Sequence, residues 1–245
     1  MFPSKKIYKT LTYVSLFCLA SFSMAQEDSD FPSESEFKSA NGIKNIIGDF
    51  STDKIENWKA KSFVGDTQYT IVDDGDKRVL KAQSSDTASG LAKEKVIDLF
   101  KTPFLNWSWK IDNALPNIDE TIKDGDDYSA RVYVVKSGGW RIWNTLALNY
   151  VWSSNQAKGS QWNNAFVGEN AKMLAVKGVN SSIKEWANEK RNVYQDMIAQ
   201  FGDKGSDKAN EEAYRYLDAV ALMTDTDNSH LSAVAYYADI YFSDK

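Results

Sequence analysis

An arginine planted in the middle of a strand-like run is the most chemically loaded feature of this sequence. In residues 125–135 (GDDYSARVYVV), Asp126 and Asp127 lead into a period-two alternation. Tyr128, Ala130, Val132 and Val134 fall on one face, and Ser129, Arg131, Tyr133 and Val135 on the other. The first face suits a core. The second carries a guanidinium that stays charged and needs acceptors wherever it is covered. Such a cation marks either a buried ion-pair network or the floor of a polar groove.

A second cluster closes an apolar run. Asp225, Asp227 and Asn228 offer oxygen ligands that suit a hard cation such as Ca2+, although the turn glycine and distant glutamate of an EF-hand are missing. The simpler reading is an Asx-turn capping the strand. Asp126 and Asp127 pose the same choice: neighbouring like charges call for a cation, and Arg131, Arg191 or calcium would each serve.

Asn149, Glu189, Arg191, Tyr237 and Asp239 fall on the polar sides of other strand-like runs. If those strands share a sheet with Arg131, the residues form one polar face able to hydrogen-bond sugar hydroxyls. Otherwise they are internally paired charges that hold strand register. For catalysis, Glu189 and Asp239 are the candidate carboxylates of a glycoside hydrolase. Tyr237 is the candidate base of a polysaccharide lyase, with Arg131, Arg191 and Asn149 neutralising a uronate. Trp140, Trp143, Trp152 and Trp162 gather around residues 153–159. Trp152 and Trp162, flanked by polar residues, are expected to be exposed for stacking on a sugar, with Asn163 and Asn164 beside Trp162. The bland alternative places tryptophans in the core. His230 follows the Asp225 cluster in a loop and is expected to be exposed and ordinary.

The elements that position these groups are short. Alternating runs span Thr67–Val72, Arg78–Gln83, Lys95–Asp98, Asn106–Lys110, Tyr128–Val135, Arg141–Trp152, Ala171–Lys177, Lys184–Val193, Leu217–Thr224 and Ala233–Phe242. In the last of these, Val234, Tyr236, Ala238, Ile240 and Phe242 are expected inside. Turn signals lie at Asp74-Gly75, 123–125 and 137–139. This spacing predicts an all-β sandwich or jelly roll, interrupted by short helices over Tyr194–Phe201 and Ser206–Tyr216.

Residues 1–25 have the basic start, apolar middle and small-residue cleavage site of a signal peptide, cut after Ala25. Residues 26–45 read as a flexible acidic leader, and 46–245 as a single β-sandwich domain. Cleavage removes three lysines and no acid from 29 basic and 34 acidic residues, leaving a formal charge of −8. That balance disfavours nucleic acid and anionic lipid. Cleavage also removes Cys18, the one cysteine, and His230 is the one histidine, so a His/Cys zinc site is nearly excluded. No later segment is apolar enough to span a membrane. A periplasmic or secreted location is expected, with no cofactor beyond an optional calcium ion.

The order of signals from Asp49 to Phe242 resembles galactose-binding-domain-like β-sandwiches, which include carbohydrate-binding modules. A closer match covers nearly the whole body. Residues 88–91 (ASGL), 102–109 (TPFLNWSW), 125–128 (GDDY), 149–152 (NYVW), 189–193 (EKRNV) and 223–228 (MTDTDN) look like the bacterial domain-of-unknown-function family 3047. That resemblance implies a fold without conferring an activity; a glycan ligand is the expectation from fold analogy. The reading is an exported protein that binds a glycan or other polar envelope ligand in a polar groove. The alternative is a carbohydrate-active enzyme using the same groove, and no compact catalytic signature decides between them.

Overall fold

The computed structural model describes residues 42–52 and 54–245. The signal-peptide segment and residues 26–41 of the leader lie outside the described residues. In chain order the strands are β1 (Lys44–Gly48), β2 (Lys59–Val64), β3 (Gln68–Asp74), β4 (Lys77–Ser85), β5 (Ala88–Asp98), β6 (Phe104–Ile111) and β7 (Tyr128–Lys136). They continue as β8 (Leu146–Trp152), β9 (Gln161–Asn164), β10 (Gly168–Lys177), β11 (Ala187–Asn192), β12 (Tyr216–Asp225) and β13 (Ser232–Ser243). Helices α1 (Val193–Phe201) and α2 (Asp207–Tyr214) sit between β11 and β12. Strand β1 starts at Lys44, inside the segment read as leader. Among the described residues, no helix is long and apolar enough to cross a membrane.

The strands form two facing sheets. One has six strands, in the order β11-β6-β13-β4-β3 with β1 also pairing β13; the other has seven, in the order β2-β5-β12-β7-β8-β10-β9. Pairing is antiparallel except for β8 with β10, whose connection runs over residues 153–167. The expected β-sandwich with two short helices is what forms. Asn192 caps α1 through Gln195 N, Gly202 ends it with φ 89°, and Ser206 caps α2 through Ala209 N.

Alternation builds the core. In β6, Leu105, Trp107, Trp109 and Ile111 point between the sheets, while Asn106 and Lys110 are only partly covered. From the facing sheet come Ala130, Val132 and Val134 of β7, Leu148, Tyr150 and Trp152 of β8, and Val220 and Leu222 of β12. Trp109 and Trp152 meet across the layers at 5.6 Å, and Trp107 meets Tyr150 at 5.3 Å. Such aromatic pairs add about 0.5–1.5 kcal/mol beyond their buried area. Trp152 is therefore a core residue, 1% exposed, and the expectation of an exposed Trp152 is corrected. Its strand period with Leu148 and Tyr150 outweighs its polar sequence neighbours.

One bulge rewrites the last strand. The β13–β6 register shifts between Ala238 and Tyr241, and Asp239 has φ 53°. An extra residue inverts the phase, so Ala235 and Tyr237 face inward before it and Ile240 and Phe242 after it. Tyr237, expected on a polar face, is sealed in the core. Its hydroxyl bonds Thr224 Oγ1 at 2.8 Å and donates to Met223 O at 2.8 Å.

Candidate ligand cavity on the seven-stranded sheet

Arg131 lies on the outer face of β7, one strand from the end of β12. The β12–β7 ladder pairs Met223 with Arg131 and Asp225 with Tyr128, with a register shift between them. That shift brings the Asp225 carboxylate to the guanidinium: Arg131 Nη2 donates to Asp225 Oδ2 at 2.5 Å and touches Met223 Sδ at 3.0 Å. The guanidinium also stacks over Tyr128, 5.2 Å from the ring centre. Both partners are buried. Arg131 Nε and Asp225 Oδ1 are each sealed from solvent without a hydrogen-bond partner.

More acid surrounds this pair. Asp127, Asp225 and Asp227 bring carboxylate oxygens within 4.8 Å of one another. Asp127 is held by the loop after β12, accepting from Asn228 N at 3.2 Å and Ser229 N at 2.6 Å. Asp126 accepts from Tyr128 Oη at 2.9 Å and Asn164 Nδ2 at 2.7 Å. Just before β7, Gly125 packs against the Asp119 backbone, where a Cβ would lie 2.4 Å from Asp119 O. Asn228, in the metal set read from the sequence, donates its Nδ2 to Asp227 Oδ2 at 3.2 Å, beside the cluster. Asp127, which the sequence reading left out of that set, joins Asp225 and Asp227 in it.

The electrostatics follow from burial and crowding. Burial works against the charge of Arg131, yet Asp225 and Asp126 outweigh it and hold its pKa above the ordinary range. Burial pushes Asp126 up to about 6, against the lowering pull of Arg131, Tyr128 and Asn164. Burial likewise raises Asp225, with Asp127, Asp126 and Asp227 adding to the rise and Arg131 opposing it. Asp227 is raised by burial and by Asp127.

This cluster opens onto a cavity of about 320 Å3, walled by Phe63, Val64, Ala88, Phe166 and Met223 as well as Asp126, Arg131, Asp225, Asp227 and Asn228. At its rim, exposed His230 bonds Asp86 at 2.7 Å, and that hydrogen bond raises the imidazole pKa. Phe63 and Phe166 lie in segments that had no chemical signal in the sequence.

The model of the family described as "Protein of unknown function (DUF3047)" matches residues 56–241. The chain belongs to this family. No curated protein matches the sequence. Among solved structures it is similar to the family 11 carbohydrate-binding module from Clostridium thermocellum in complex with a β-1,3-1,4-mixed-linked tetrasaccharide. There the identity is 12%, the match covers 82% of this chain and 95% of that one, and the TM-score is 0.40. It is also similar to the xyloglucanase domain of NopAA, a type three effector from Sinorhizobium fredii, in complex with cellobiose. That match has 10% identity, 77% and 93% coverage, and a TM-score of 0.41. A third is the glycoside hydrolase domain of Endo-D from Streptococcus pneumoniae R6, with 12% identity and a TM-score of 0.38, covering 77% of this chain and 22% of that one.

Of the remaining sequence candidates, Asn149 and Trp162 lie on Arg131's side of the seven-stranded sheet but do not line its cavity, and the others lie elsewhere. Asn149 lies buried on the neighbouring strand β8, opposite Tyr133, and donates to Lys172 O at 3.4 Å. Trp162 is partly buried, stacks on Tyr128 at 6.4 Å and donates to Glu120 O at 3.1 Å. Asn163 accepts from Lys172 Nζ at 2.6 Å. Glu189, Arg191, Tyr237 and Asp239 belong to the six-stranded sheet. The single polar face imagined from alternation is thus divided between two layers. Arg191 pairs with Asp196 at 2.6 Å, and Tyr150 Oη donates to the same carboxylate at 2.9 Å. Glu189 and Asp239 both border a larger hollow of about 570 Å3 on that sheet. Each already meets a lysine: Glu189 reaches Lys177 of the opposite sheet at 3.3 Å, and exposed Asp239 lies 3.6 Å from Lys77. The exposed tryptophans are Trp140 (79%) and Trp143 (59%), on the β7–β8 connection.

Proposed function

We propose that this chain is an exported, periplasmic or secreted protein that binds a saccharide or similarly polyhydroxylated ligand, without catalysis, in the cavity beside Arg131. One observation carries the reading. A buried guanidinium and several carboxylates border a hollow whose other walls are two aromatic rings and aliphatic side chains. Sugars present hydroxyls around an apolar C–H face, so charged groups and rings in one recess match both parts of the ligand. The volume lies at the lower end of the range of about 300–1,000 Å3 common for ligand pockets. The larger hollow supports hydrolysis less well, because Glu189 and Asp239 each sit beside a lysine and Tyr237 is out of reach in the core.

Affinity electrophoresis against a polysaccharide panel tests the placement. Phe166→Ala is expected to weaken retention on the bound polymer at least tenfold, about 1.4 kcal/mol. Arg191→Ala on the other sheet and Lys208→Ala on α2 are expected to leave it unchanged. Loss with Arg191→Ala but not with Phe166→Ala would move the site to the six-stranded sheet. No release of reducing ends or unsaturated uronates is expected from the same panel, and either product would replace binding with catalysis. Export predicts that protein recovered from the source cells begins at Gln26 by mass spectrometry; an intact residue 1–25 segment would refute cleavage.

A further inference from the structure

We propose that Asp127, Asp225 and Asp227 together hold one hard divalent cation of the calcium class at the edge of the ligand cavity. Their carboxylate oxygens all lie within 4.8 Å of one another. Calcium binds oxygen at about 2.3–2.6 Å, so two oxygens on opposite sides of one ion stand about 4.6–5.2 Å apart, and the whole set is within reach of a single ion. The donors are all oxygen, without the histidine or thiolate that zinc selects.

A second observation points the same way. Asp225 is 2% exposed, and its Oδ1 has no hydrogen-bond donor although its Oδ2 is paired with Arg131. A buried carboxylate oxygen without a donor is costly, and a cation supplies the missing partner. Ser229 Oγ, in the loop that fixes Asp127, is another buried oxygen without a partner. The two backbone N–H groups on Asp127 set its carboxylate in place before any ion arrives. Arg131 balances one carboxylate and leaves the others uncompensated.

The inference shares Asp225 and Asp227 with the proposed ligand cavity but needs no saccharide, so it is tested without one. Titration calorimetry of the chelator-stripped chain with CaCl2 is expected to show one site, and the melting temperature is expected to rise with Ca2+. Asp227→Asn, at a partly exposed position, should weaken binding at least tenfold, while Asp239→Asn on the other sheet should not change it. No heat and no melting shift up to about 10 mM Ca2+, an order above the weakest calcium modules, would overturn the proposal. Equal losses in the two variants would overturn the placement. Magnesium requires oxygens at about 2.0–2.1 Å in near-octahedral array and gives up its waters reluctantly, whereas calcium accepts a more flexible set. Tighter binding of MgCl2 than of CaCl2 would overturn the calcium assignment. Saccharide retention that persists after the site is shown not to bind metal would leave the ligand reading standing alone.

Discussion

Arg131→Met is expected to cost about 3–5 kcal/mol of folding stability at neutral pH, seen as a lower urea midpoint with little change in slope. The side chain is buried, and Met keeps much of its volume and its contact with the Tyr128 ring. What disappears is the cation facing Asp225 at 2.5 Å. The wild-type pair offsets its desolvation by mutual attraction; in the metal-free chain the single variant leaves a carboxylate buried beside Asp126, Asp127 and Asp227 with nothing opposite it. Arg131→Met combined with Asp225→Val should recover most of the loss, because a buried ion pair and a well-packed apolar pair differ little in stability. A double-mutant cycle reads this coupling directly. A single-variant cost below about 1 kcal/mol, or losses that simply add, would show that the pair is not the electrostatic centre of the cavity.

The residues that form that centre were visible in the sequence, but their arrangement was not. Arg131, Asp127, Asp225 and Asp227 stood out by charge within or beside apolar runs. Their convergence requires β12 to lie next to β7, which pairs Arg131 with a residue 94 positions away in the chain. Local alternation carries no information about that neighbour. The same ignorance of strand order merged Glu189, Arg191 and Asp239 with Arg131 on one face, although the chain places them in the other sheet.

Tyr237 failed for a different reason. Alternation assumes an unbroken strand, and the bulge at Asp239 inverts the phase halfway along β13. The signal was there to read: aspartate tolerates a positive φ better than most residues, and Asp239 interrupts an otherwise apolar and aromatic run. Trp152 shows that strand period is the stronger guide where period and neighbouring polarity disagree. Strands β1, β2 and β9 escaped because short edge strands carry lysines, asparagines and glutamines and bury few side chains. Glu120 gave no signal at all. It sits in an irregular polar stretch, and only the fold reveals that it is completely buried.

That buried carboxylate leads to the second large effect. Glu120→Ala is expected to cost about 2–4 kcal/mol, because the side chain ties the 112–127 loop to the segment after β8. Its Oε1 accepts from Ser154 N at 2.6 Å and its Oε2 from Ser153 Oγ, while Ser153 Oγ accepts in turn from Gln156 N at 2.7 Å. Truncation strands these donors in the interior. Glu120→Gln keeps an oxygen for Ser154 and fills the same space, so it should retain most of the stability. Burial is the largest influence on Glu120 and raises its carboxyl above the ordinary 4.5, against the lowering pull of Ser153, Ser154, Asn155 and Gln156. A raised value means that the folded chain holds the proton more tightly than the unfolded one. That contribution is complete below about pH 4.5 and is lost as the pH climbs through the folded value. Glutamine cannot ionise and loses nothing over that range. Urea unfolding at about pH 4 and about pH 7.5 should therefore show Glu120→Gln gaining on the wild type as the pH rises, with Glu120→Ala well below both. A glutamine variant that fell further behind at the higher pH would mean that the ionised carboxylate is favoured by its donors, and that burial does not govern this site.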